Sequence, residues 1–300
     1  MKNMDWTQLS FKYSKTNTVL TCLYKDGKWG PVQSQTPDSI NLTVFSPSLH
    51  YGMSCFEGLK AFRGIDGKVR IFRPDENARR MQSSAEFLGI PCPDEELFQK
   101  MCIQAVQENI DFLPPYDLRA SLYIRPILIT TIPSINLVPQ QDGILFMVIT
   151  LPVGSYAGTV LDPIKTVIAR DYDRAAPNGS GSVKVGGNYA CAMNATGVAV
   201  KQCYKDVLCL NPETKNIDEF SSANFFGIKG NIYVTPCAKT ILPSITNKSL
   251  RQVAQDLGMV VERRDVAVEE LSTFNEVGQW NNLCITNVYE NGKLKFITEA

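Results

Sequence analysis

Histidine is nearly absent from this chain of 300 residues, where His50 is the only one. Zinc centres built on several histidines are thereby excluded and no metal is expected, and any Ser-His-Asp or Cys-His relay would have to run through that single ring. His50 sits in Ser48-Leu49-His50-Tyr51 with no nucleophile motif beside it, so a packed or hydrogen-bonded structural imidazole is expected. Charge of one sign is equally lacking. Lys+Arg and Asp+Glu stand at 30 each, which leaves no global field to recruit nucleic acid or an anionic membrane. A small-molecule partner is the default. The 9 cysteines are odd in number and form no CxxC pair, a pattern that points to free thiols in a reducing cytoplasm. The most apolar run, around Gly143 to Gly154, is too short and broken to span a bilayer, and Met1 to Thr7 lacks the apolar core of a signal peptide.

What is present suits a large buried core and two domains. In the first half, Asp75 can cap a helix running to about Leu88, with Ala78, Met81, Ala85 and Leu88 at helical spacing and Gly89 as its stop. A second helix starts near Asp94 and ends before Pro114-Pro115. Strands are expected over Ser121 to Thr130 and Ile144 to Leu151. Gly, Ser and Pro then gather between Pro152 and Asp162, so the chain divides into a smaller domain over 1–151, an interdomain loop over 152–164 and a larger domain over 165–300. The second half alternates strands near 166–169, 207–210, 222–228, 232–235 and 260–266 with helices to about Tyr204, over 246–257 and over 268–274. A mixed α/β (α+β) architecture is therefore expected.

Three segments can carry chemistry. Val183-Lys184-Val185-Gly186-Gly187-Asn188-Tyr189 places one amine among small residues and a phenol five positions on. A lysine without acidic neighbours becomes less basic when buried, and its neutral form is the one that condenses with a carbonyl cofactor. The Gly-Ser-Gly-Ser run at 179–182 also permits the plain reading of a solvated lysine in a flexible loop. Ile241 to Thr246 leads into a helix whose first amides can bind phosphate, or can simply be capped. Glu219, at the mouth of an apolar strand, can hold a pyridine ring protonated, or can be an ordinary strand-end charge.

The blocks Leu49-His50-Tyr51, Phe56-Glu57-Gly58-Leu59-Lys60-Ala61-Phe62, Ile71-Phe72-Arg73-Pro74, Leu122-Tyr123-Ile124-Arg125-Pro126 and Lys184-Val185-Gly186-Gly187-Asn188-Tyr189 closely resemble branched-chain amino acid aminotransferases, pyridoxal 5'-phosphate enzymes of the class IV fold. The match runs in order to about Gly278. The resemblance implies two domains with the active site between them. It implies that Lys184 joins the cofactor aldehyde covalently and shuttles the proton between the substrate α-carbon and C4′. Tyr189 would hydrogen-bond the ring oxygen and Glu219 the ring nitrogen. Arg80, with Arg79 as the adjacent competitor, would grip the phosphate beside the amides of Ile245 and Thr246. Tyr51, Phe56, Tyr123, Tyr156 and Ser222 would line the substrate pocket, with Arg125 organising its polar end. The implied reaction is a ping-pong transfer from L-leucine, L-isoleucine or L-valine to 2-oxoglutarate, a step of branched-chain amino acid biosynthesis. Discrimination among those substrates would be weak, because one methylene is worth only about 1–3 kcal/mol. A loop like Pro133 to Pro139 would reach into a partner's pocket, implying a homodimer.

The resemblance departs at Gln279-Trp280-Asn281-Asn282-Leu283-Cys284, where the family carries a Gly-Thr turn that holds phosphate and substrate carboxylate. The family also continues past the position of Ala300, so a shortened C-terminus is expected. D-amino acid aminotransferases and aminodeoxychorismate lyases share the lysine and the carboxylate, and a degenerate, non-catalytic member of the fold is a third reading.

Overall fold

The computed structural model describes residues 5–36, 38–118, 120–154, 163–280, 284–290 and 293–296, with side chains described as far as Gln279. The chain divides into two compact units, Met1–Tyr156 with Lys184–Gly186, and Ala157–Val183 with Gly187–Ala300. The lysine segment is thus part of the first unit, an assignment that its position in the sequence does not suggest.

In the first unit, β1 (Val19–Lys25), β2 (Lys28–Trp29), β3 (Gln33–Gln35), β4 (Ser54–Phe56), β5 (Leu59–Arg63), β6 (Val69–Ile71), β7 (Ser121–Thr130) and β8 (Ile144–Val153) form one sheet. Its central path runs β2-β1-β8-β7-β5-β6, and all of these neighbours are antiparallel. The β7–β8 ladder pairs Ser121 with Val153 at one end and Thr130 with Ile144 at the other. Both strands are apolar nearly throughout because both faces are largely buried, as the runs of Ile, Leu, Val and Phe required. After the short α1 (Pro47–His50), α2 (Pro74–Leu88) and α3 (Glu95–Glu108) complete the unit. Phe98 of α3 stacks on Phe146 of β8, ring centroids 6.0 Å apart.

The α2 N-terminus corrects the expected cap. Arg73 is the cap residue, at φ 46°, and Pro74 opens the helix. A proline has no N–H to satisfy and its fixed φ suits the first turn. Asp75 is instead a first-turn acid, favourable at the positive end of the helix dipole. Gly89, at φ 67°, ends the helix as expected. Asp94 does cap α3, its side chain accepting from the Leu97 amide at 2.8 Å.

The second unit contains β9 (Ile164–Ala169), α4 (Gly186–Lys201, its first residue grouped with the first unit), β10 (Asp206–Leu210), β11 (Ile217–Phe220), β12 (Asn224–Lys229), β13 (Ile232–Thr235), α5 (Ile245–Asp256), β14 (Val260–Arg263), β15 (Glu276–Trp280), β16 (Cys284–Glu290) and β17 (Lys293–Phe296). The strands run in the order β11-β10-β9-β16-β15-β12-β13-β14, and a further pairing of β11 with β12 closes the first part of that path into a ring. The closing contact is the Glu219–Asn224 register pair. Leu208, Phe220, Phe225, Val266, Phe274 and Val277 fill the core. Gly227 must stay a glycine here, because a Cβ would meet the Phe274 ring at 2.6 Å. The strand expected over 222–228 is β12, and a further strand, β11, precedes it through a tight turn.

Candidate active site

Lys184 is held by its backbone. Its amide donates to Ser84 Oγ at 2.9 Å, its carbonyl accepts from the Phe56 amide at 3.1 Å, and Val185 bridges to Cys55 of β4. The 179–183 loop that precedes it belongs to the second unit and is equally fixed. Asn188 Nδ2 donates to the carbonyls of Ser180 at 2.7 Å and Val183 at 2.9 Å, while Ser180 Oγ donates to Asn188 Oδ1 at 2.6 Å. Composition alone read that loop as flexible, and the signal that corrects it is Asn188, whose amide can bond several backbone groups at once.

The Lys184 side chain is half-buried, with Nζ 4.8 Å from the centroid of the Phe56 ring. Arg125 lies over the same ring at 4.6 Å and over Tyr123 at 5.3 Å, and its Nη2 donates to the Tyr123 hydroxyl at 2.8 Å. Burial lowers the Lys184 amine to a pKa of about 8, helped by the Arg80 guanidinium and opposed by Glu57. Such an amine is neutral in an appreciable fraction of molecules near neutral pH, as a nucleophile and proton carrier requires. Gly58 leaves space for Tyr123, since a Cβ there would lie 2.3 Å from the phenol oxygen.

Arg80 and Arg79 are adjacent in α2 but differ sharply in setting. Arg79 is about half exposed and faces Asp75, Glu76 and Glu95. Arg80 is mostly buried and grips Glu57 through Nε and Nη2, both at 2.7 Å. Tyr51 is exposed, with its hydroxyl donating to the Ile135 carbonyl at 2.9 Å. His50 is a structural ring with Nε2 2.7 Å from the Val44 carbonyl oxygen.

The second unit assembles a separate set. Glu219 of β11 is buried and ion-paired with Arg174 at 2.6 Å. Asn224 Nδ2 donates to its Oε2 at 2.5 Å and the Leu242 amide to its Oε1 at 3.2 Å. Burial pushes the Glu219 carboxyl upward, and Arg174 with the two N–H donors works against it. Oε1 is used twice and Oε2 once, so Oε2 keeps acceptor capacity for the N–H of a protonated ring. Sequence reading missed Arg174, whose Nη2 also donates to the carbonyls of Gly181 and Thr240. Its neighbours Asp171 and Asp173 make the segment look like an ordinary charged loop, with no sign of a buried cation.

At the α5 N-terminus Ser244 caps the helix by accepting from the Asn247 amide at 3.1 Å. The amides of Ile245 and Thr246 precede it in the first turn, where no helical carbonyl can reach them, so an anion fits there. Tyr189 sits in the first turn of α4, and Ser222 is exposed in the turn between β11 and β12. Tyr156, Asn281 and Asn282 lie outside the described residues. The altered segment begins inside the sheet, with Gln279 buried, paired with Phe225 and Cys284 in register, and hydrogen-bonded to Asp206.

The chain belongs to the class IV aminotransferase family, whose model matches residues 54–289, and it has the fold of that family. Members of that family use pyridoxal 5'-phosphate. The chain is 42% identical over 93% of its length to a branched-chain-amino-acid aminotransferase of Helicobacter pylori, covering 83% of that protein. It is 41% identical over 98% of its length to the enzyme of the same name from Haemophilus influenzae, covering 88% of that one. The solved branched-chain amino acid aminotransferase of Escherichia coli shares the fold at TM-score 0.80 and 22% identity, over 94% of this chain and 89% of that one.

Proposed function

We propose that this chain transfers the amino group of L-leucine, L-isoleucine or L-valine to 2-oxoglutarate, giving branched 2-oxo acids and L-glutamate with pyridoxal 5'-phosphate as cofactor. The observation that carries this reading is Lys184, a half-buried amine of lowered basicity set against Phe56, Tyr123 and Arg125 in a chain of this family. When bound, the cofactor supplies an aldehyde that condenses with amines and a protonated ring that draws electron density from the reacting carbon.

The protein's own residues supply the rest. Lys184 Nζ would accept the proton from the substrate α-carbon and release it to C4′ of the cofactor. Glu219 Oε2 would accept from the ring N–H, and the paired Arg174 would favour the charged form of that carboxyl. Tyr189 would donate to the ring oxygen. Arg80 would be one phosphate ligand, and the free amides of Ile245 and Thr246 would be others. Phe56, Tyr123, Tyr51 and Ser222 are assigned to the aliphatic side chain and Arg125 to the carboxylate, and Tyr156, outside the described residues, is assigned to the side chain by the family resemblance alone. Aromatic walls reward burial of branched carbon, at about 25 cal/mol per Å².

A homodimer in the reducing cytoplasm completes the reading. The cysteines with described side chains are free thiols, and no helix among the described residues is long and apolar enough to cross a membrane. Val44, Phe45, Leu49, Ile135, Leu137 and Val138 are all exposed. The Ser134 amide donates to the Phe45 carbonyl at 3.0 Å, tying the two segments into one apolar patch suited to a second copy.

Purified protein given pyridoxal 5'-phosphate, L-leucine and 2-oxoglutarate should form L-glutamate and 4-methyl-2-oxopentanoate. Reaction of D-alanine without reaction of L-leucine would overturn the substrate assignment.

A further inference from the structure

Glu57 has no solvent exposure and no part in the roles above. Its carboxylate accepts from four donors, Arg80 Nε and Nη2 and Asn77 Nδ2 at 2.7 Å each and its neighbour's Gly58 amide at 3.2 Å. The thiols of Cys55, Cys92 and Cys102 also feel its charge. Burying a carboxylate is costly, so its place beside a site residue calls for a reason.

The backbone supplies one. Phe56, the residue before Glu57, donates its amide to the Lys184 carbonyl. Ser84 Oγ accepts from the Lys184 amide and donates to the Arg80 carbonyl at 3.0 Å. Lys184 is therefore tied both to the chain carrying Glu57 and to the helix turn carrying Arg80. Arg80, Glu57, Tyr123 and Arg125 are among the charged and titratable groups that act on its amine.

We propose that Glu57 is a positioning residue that fixes the direction of the Arg80 guanidinium and cancels its charge at Lys184, so that the lysine amine keeps its working basicity beside a permanent cation. The proposal rests on reading Lys184 as the reactive amine. Without Glu57, Arg80 would press the amine further toward its neutral form. Without Arg80, Glu57 would hold the proton on it.

The test is the pH profile of Lys184 labelling by trinitrobenzenesulfonate in cofactor-free protein, read as mass gain on the Lys184 peptide. Glu57→Gln should move the midpoint down by about one pH unit and Arg80→Gln up by a similar amount, each the scale of one nearby charge. The double variant should return close to the wild-type midpoint, and Glu57→Asp should shift less than Glu57→Gln. A role confined to packing would not move the midpoint in opposite directions. An unchanged midpoint in Glu57→Gln, or shifts of the same sign in both single variants, would overturn the proposal. If Glu57→Gln does not fold, Arg80→Gln against the double variant still isolates the acid, and an equal midpoint in those two would be equally fatal. The differences between variants judge Glu57, whereas a wild-type midpoint near 10.5 would instead remove Lys184 as the reactive amine.

Discussion

Among the described residues, each unit of the molecule buries an arginine–glutamate pair, and the two pairs are wired in opposite senses. In the first, Glu57 is wholly buried and spends both oxygens within the protein, while Arg80 is the partner with some surface, at 13% against 0%. In the second, Arg174 bonds Glu219 and the carbonyls of Gly181 and Thr240 through Nη2 while its Nε is buried without a partner among the described residues, and the carboxylate keeps acceptor capacity on Oε2. Under the proposed function, the acid is the anchor in one unit and the working group in the other. A buried ion pair is seldom retained for stability alone, because matching apolar residues often do as well. Under the function proposed above, the difference is one of role, with Arg80 assigned to phosphate in one unit and Glu219 to a ring N–H in the other.

Breaking either pair gives the largest expected effect. Glu219→Ala should lower turnover by about 10²–10³-fold, the scale of losing one preorganised electrostatic partner, and should destabilise the fold by about 3–5 kcal/mol by stranding Arg174. Arg174→Ala should cost similar stability. Replacing the whole pair, as Arg174→Met with Glu219→Leu, should restore most of the stability in urea titrations while turnover stays low. Recovery of turnover would remove the functional reading of that carboxylate.

The pH dependence of stability sharpens the contrast from the lysine side. The Lys184 pKa in the folded protein, about 8, lies below the ordinary 10.5 of the unfolded chain. Between those values the unfolded state binds more protons, so this group's contribution rises with pH and is lost as pH falls toward 8. In cofactor-free protein, the denaturation midpoint of wild type relative to Lys184→Met should climb across that window and level off below it. A flat difference would mean that the amine is solvated.

A smaller effect is expected at Gly58. Gly58→Ala forces the Tyr123 phenol to move and should cost about 1–3 kcal/mol, with a raised KM for L-leucine because Tyr123 and Arg125 shift together. The smallest belongs to Arg79. Arg79→Gln should change stability by less than about 0.5 kcal/mol and cofactor affinity by less than twofold, whereas Arg80→Gln should weaken cofactor binding tenfold or more. Equal losses in both variants would erase the distinction between the two neighbours.

The two pairs also mark what the sequence made legible. Long periodic elements could be read directly, since α2, α3, β7 and β8 are fixed by local spacing of apolar residues. Lys184 and Glu219 could be singled out as candidates from local composition together with family resemblance. Arg174 and Glu57 were not, because each acts only through a partner brought to it by folding, across 45 positions for Arg174 to Glu219 and 23 for Arg80 to Glu57. The grouping of Lys184–Gly186 with the first unit was hidden for the same reason, since it depends on hydrogen bonds to Phe56 and Ser84, far away in the chain. The Asp75 cap was misassigned because Arg73 adopts a left-handed backbone, which is uncommon for that residue type.

The most direct test is to incubate the protein with pyridoxal 5'-phosphate, reduce with borohydride, digest, and locate the added cofactor mass by peptide sequencing. The expected result is a single modified peptide with the label on Lys184, abolished in Lys184→Ala. A label on another lysine, or none at all, would contradict the central claim that this amine holds the cofactor.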